Sequence, residues 1–129
     1  MTTPPRTRLE RVRASAGIVK LALQQIEDEL AGPAVADVLA EVLRELFDEA
    51  APQDGVLGSL GQLLTVASQA AALTPIDTDD SESAACAIEE AAAFVTDSAG
   101  MRLHLATSTL QPQGEIHHER VHARGHHAA

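Results

Sequence analysis

Apolar residues recur from Leu9 at alternating steps of three and four: Leu9, Val12, Ala16, Val19, Leu23, Ile26 and Leu30. That spacing puts the whole set on one face of an α-helix, with a period near 3.5 suited to helices crossing at a shallow angle, in an antiparallel bundle or a coiled-coil dimer. The helix has a readable start, because Thr7-Arg8-Leu9-Glu10 is a capping box in which the Thr7 hydroxyl accepts the Glu10 backbone N–H. It also has a readable stop. Gly32 suits the left-handed position after a helix, and Pro33 cannot continue the helix but can open the next one.

The same 3.6-residue logic predicts a second helix from Pro33 to Ala51, with Val35, Val38, Leu39, Val42, Leu46 and Ala50 inward and Pro52 as its stop. The short link at Gly32-Pro33 favours an antiparallel hairpin of helices one and two. A third helix follows Asp54, with Val56, Leu60, Leu63, Leu64, Ala67 and Ala71 on its apolar side, and ends at Thr74-Pro75. Gly55, Gly58 and Gly61 fall at its start, where each costs about 1 kcal/mol relative to alanine in a helix interior. They imply either fraying or close backbone packing.

Asp79, Asp80 and Ser81 are cap candidates for a fourth helix over 82–99, with Ala84, Ala87, Ile88, Ala91, Val95 and Ala99 as its inner stripe and Phe94 on the flank. Beyond Gly100 the pattern is ambiguous. Met101, Leu103 and Leu105 alternate like a short strand, yet the fourth helix can equally run on to Leu110, and helix is the preferred reading. Taken together the chain reads as mainly α: an antiparallel bundle of about four helices over 1–110, with a polar, His-rich and poorly ordered C-terminal tail over 111–129.

Composition sharpens this picture. Phe47 and Phe94 are the sole aromatic residues, so the core must come from Leu, Val, Ile and Ala, and alanine lets helix backbones approach closely. The single cysteine, Cys86, allows no disulfide within the chain, and no apolar segment reaches bilayer-spanning length. With no secretory signal pattern at the N-terminus, the expected location is the cytoplasm, without a membrane span.

Charge is segregated along the chain. Residues 1–26 carry Arg6, Arg8, Arg11, Arg13 and Lys20 against Glu10, whereas residues 27–97 carry sixteen carboxylates against Arg44. An acidic body deters nucleic acid and anionic membranes and attracts a basic protein partner. The arginines near the N-terminus could touch phosphate, but without interleaved aromatics or a recognised motif direct DNA or RNA binding is not expected.

Little of the sequence points to chemistry. Glu115 with His118, and Glu119 with His122, give two Glu-x-x-His pairs that a helix would present as metal ligands on one face. Their place at a chain end between Gly114 and Gly125 favours adventitious binding over a built site. Cys86 lies among alanines, where a buried inert thiol is the default, and His104 is too far along a continuous helix to serve it as base. Gly55-x-x-Gly58-x-x-Gly61 matches no phosphate or dinucleotide loop, and Leu57 stands where a nucleophile elbow around Ser59 needs glycine.

The expectation is therefore a non-enzymatic acidic helical protein that needs no cofactor and works through protein–protein contact, as an accessory, adaptor or regulatory subunit. Its partners are a second copy, as a homodimer through the Leu9–Leu30 seam, or a basic protein. An acidic inhibitor mimicking nucleic acid and a metal-binding protein using the tail are the alternatives.

Overall fold

The computed structural model of the chain describes residues 7–33 and 35–111. The fold is all-α, with no strand among the described residues. It divides into two compact units, residues 1–34 and 35–129.

Among the described residues the first unit contains a single helix, α1 (Arg8–Leu30). Its start is the expected one: the Glu10 N–H donates to Thr7 Oγ1 at 3.1 Å. Its end is marked by Gly32, whose φ of 90° lies where only glycine is unstrained. No residue of α1 is buried.

The second unit contains α2 (Ala36–Leu46), α3 (Val56–Ala72) and one long continuous helix built from α4 (Thr78–Ala93), a π-helical turn (Phe94–Ala99) and α5 (Gly100–Leu110). Of the two readings for residues beyond Gly100, helix is the one formed. The long helix has two packing partners: α4 lies against α3, and α5 against α2. Both pairs run antiparallel. Ser68 meets Ala85 while Gly61 meets Thr96, and Asp37 meets Gln111 while Phe47 meets Gly100.

The π turn explains how one helix serves both partners. The stripe facing α3 includes Ser81, Ala85, Ile88 and Ala92, and it continues through Thr96 to Gly100 rather than through Val95 to Ala99. Three successive steps of four after Ile88 absorb one extra residue, and the Gly100 N–H reaches back five residues to the Val95 carbonyl. Of the predicted set Ile88 and Val95 stay half-buried, but the inward stripe otherwise differs from it, already ahead of this turn. Ala84, Ala87, Ala91 and Ala99 are exposed, and Ala85, Ala92, Gly100 and Thr107 take the inward positions.

Two other boundaries differ from expectation. Helix α2 stops at Leu46 instead of reaching Ala51, because Phe47 turns extended and the Asp48 carboxylate accepts the Ala50 N–H at 3.0 Å, folding the chain into a turn before Pro52 arrives. Val35 and Val38 are exposed as a result of a rotated face on which Ala40 and Phe47 are buried. Helix α4 starts at Thr78, four residues early, so Asp79 and Asp80 sit in the first turn as charges favourable to the helix dipole rather than as caps.

Small residues of α3 set its packing against the long helix and against the segment that precedes α3. An added Cβ at Gly61 would come within 2.7 Å of Thr96 Cγ2, and one at Gly58 would collide with the Pro52 carbonyl. Close backbone packing, not fraying, is therefore the role of these glycines. Ser68, 2% exposed, satisfies its hydroxyl by donating to the Ala85 carbonyl at 2.9 Å, tying the two helices together.

Candidate interaction surfaces

Close approach on one side of α3 leaves its larger side chains on the other. Gly58, Gly61 and Ser68 are buried, whereas Val56, Leu60, Leu63 and Val66 point away, with Leu63 61% exposed. At 100° per residue Val56, Leu60 and Leu63 fall within about 60° of one another and Val66 lies about 60° further round, with Leu60 at the margin of the buried side, beside the half-buried Ala67 and Ala71. The predicted apolar side was thus split. Leu64, Ala67 and Ala71 are half-buried, and Val56, Leu60 and Leu63 face solvent.

The stripe lies in an uncharged setting, since no Asp, Glu, Lys or Arg occurs between Gly55 and Ile76. The rest of the unit is strongly acidic, and Arg44, its cation on α2, is already paired with Glu41 at 2.5 Å.

The seven seam positions of the first unit all fall on the uninterrupted α1, as the spacing requires. Leu9, Val12, Ala16, Val19 and Leu23 are exposed; Ile26 and Leu30 are half-buried. Charge is graded along this helix. Arg8, Arg11 and Arg13 occupy the first turns and Glu27, Asp28 and Glu29 the last, the reverse of what the helix dipole favours at either end.

An open groove of about 450 Å³ lies between α3 and the long helix, where Gly58, Gly61, Ala92 and Ala93 leave room. It is edged by Glu89 and Asp97 and by amide and hydroxyl side chains. Its threonine hydroxyls are engaged with their own helices, Thr65 donating to the Gly61 carbonyl at 3.1 Å and Thr96 to that of Ala92 at 3.2 Å. Thr96 Oγ1 also lies 3.4 Å from the Asp97 carboxylate at the edge of the groove.

Cys86 is exposed rather than buried, and its thiol donates to the Glu90 carboxylate at 3.7 Å. The Glu90 charge, with a lesser contribution from Glu89, holds the thiol above its ordinary pKa. Fewer thiolates form, which is the opposite of what a nucleophile requires. His104 on α5 contacts the Glu49 carboxylate at 3.2 Å, beside the α2–α5 packing.

Among the described residues no group of three or more His, Cys, Asp or Glu side chains is arranged to hold a metal. The predicted ligands Glu115, His118, Glu119 and His122 lie outside the described residues. No helix among the described residues is long and apolar enough to cross a membrane.

No protein-family model, curated protein or solved structure matches this chain.

Proposed function

We propose that the protein acts through protein–protein contact, as an accessory, adaptor or regulatory subunit whose α3 face docks a basic partner. The observation that carries this reading is the outward stripe of Val56, Leu60, Leu63 and Val66 on a helix without charge, in a unit otherwise rich in carboxylates. Aliphatic groups of this size normally go to the core; here Gly58, Gly61 and Ser68 are the fully buried positions of α3, while Leu60, Leu63 and Val66 are exposed. Docking would bury the stripe, and the surrounding carboxylates would speed encounter with a basic protein and discriminate against acidic ones.

Capture from the native source with full-length bait, followed by titration of the purified partner, tests the reading. The partner is expected to be basic, to bind more weakly as salt rises, and to lose about tenfold or more in affinity against Leu63→Glu, whose exposed position leaves the fold intact. Binding unchanged by Leu63→Glu would overturn the α3 assignment. A recovered protein that exchanges this chain for DNA or RNA at the same site would favour the nucleic-acid mimic instead.

A further inference from the structure

We infer that α1 is a self-association element whose occupant is α1 of a second copy, running antiparallel. The inference rests on the reading that the chain works through protein contact, and it gives the first unit a partner of its own. Three observations converge on it. A helix of 23 residues with Gly17 at its middle has no fully buried residue, only Ile26 and Leu30 of its seam being half-buried, yet helices in proteins owe most of their stability to a packed apolar face. Seven of its apolar residues, from Leu9 to Leu30, keep a 3-4 alternation, the period of a two-helix seam, while Ile18 and Leu21 lie outside that seam.

The third observation selects the occupant and its direction. With Leu9, Ala16, Leu23 and Leu30 as one set of seam positions and Val12, Val19 and Ile26 as the other, the residues flanking the seam are Arg8 and Arg13 at one end and Glu27 and Glu29 at the other. A parallel pair would set Arg8 beside Arg13 of the second copy. An antiparallel pair instead brings Arg8 toward Glu29 and Arg13 toward Glu27, twice over by symmetry. It also lays the acidic end of each helix against the positive dipole end of the other, correcting the inverted charge of the single helix. Lys20 falls near the two-fold axis, where its long stem lets the ammonium swing into solvent. Gly17 lies outside the seam.

The full-length chain decides this by sedimentation equilibrium and crosslinking. A concentration-dependent dimer is expected, dissociated by Val19→Asp. Because that substitution could also melt the helix, surface charge provides the second arm: Arg8→Glu with Arg13→Glu should raise the dimer dissociation constant about tenfold, and adding Glu27→Arg with Glu29→Arg in the same chain should restore it. In a Cys86→Ser background, a short bis-maleimide should join Arg8→Cys chains to Glu29→Cys chains and should not join Arg8→Cys chains to each other. A monomer at every concentration, a dimer insensitive to these charges, or Arg8→Cys chains that crosslink among themselves would each overturn the inference. A dimer broken by Leu63→Glu but not by Val19→Asp would move self-association to α3. Loss of the dimer with partner capture retained would leave the proposed function standing.

Discussion

The ring of Phe47 occupies the space that a side chain on Gly100 would need: a Cβ there would lie 2.5 Å from Phe47 Cε1. This contact joins the end of α2 to the first residue of α5, directly after the π turn, and Phe47 is 4% exposed.

Gly100→Ala is therefore expected to destabilise the protein by about 1–3 kcal/mol, because overfilling this contact forces the ring or the helix to move. Phe47→Ala should cost about 3–5 kcal/mol through the cavity it leaves. Urea denaturation checks both. In the double variant the losses should be clearly less than additive, since the smaller side chain at 47 makes room for the new methyl at 100.

Glycine substitutions elsewhere should divide by sign. Gly61→Ala meets Thr96 Cγ2 at 2.7 Å, so it is expected to lower stability by about 1 kcal/mol or more despite the better helix propensity of alanine. Gly17→Ala meets nothing within 4 Å and should increase the helicity of α1, adding about 0.5–1 kcal/mol. Circular dichroism and thermal melts of the two variants against the parent make the comparison, and equal signs would contradict the packing described between α3 and the long helix.

The elements read most easily from the sequence are those governed by local rules. Thr7 with Glu10 and the glycine at 32 bounded α1 correctly, since caps and left-handed positions depend on a few adjacent residues. The inner faces of α3 and α4 were harder. Size is the usual guide to burial, and it placed Leu60 and Leu63 inside; but α3 meets the long helix at Gly61 and Ser68, and the Pro52 carbonyl at Gly58, where there is no room for leucine. The missed signal was present in sequence, as an uncharged run from Gly55 to Ile76 that contains both a small-residue side and an aliphatic side. The π turn had no such local signal, because it arises from the need of one helix to face two partners in succession.

Ser68 tests the tie between α3 and α4. Ser68→Ala removes the bond to the Ala85 carbonyl without adding bulk, and that carbonyl also belongs to a helix, so a loss of about 0.5–1.5 kcal/mol is expected. Ser68→Val removes the same bond and also adds methyl groups to a site that is 2% exposed, and should cost more than the alanine change. Chemical denaturation of the pair separates bond from space: if valine is tolerated better than alanine, the helices are not in the close contact argued above.

Cys86 carries the pH prediction. The neighbouring Glu90 carboxylate, first by its charge and then by accepting the thiol hydrogen, raises the thiol pKa, and Glu89 adds to the effect. A raised pKa means that at pH 8 a smaller fraction is thiolate than for an ordinary exposed cysteine, so alkylation should be slow despite full access to solvent. The rate should climb with pH and reach half its plateau above the value of a free-cysteine peptide. Glu90→Gln removes the main charge and should shift that midpoint downward, with a faster rate at pH 8 and little change in stability at this exposed site. Iodoacetamide kinetics across pH on the parent and the variant provide the measurement. A parent midpoint at or below that of the peptide, or no downward shift in Glu90→Gln, would show that the Cys86–Glu90 contact does not govern the thiol.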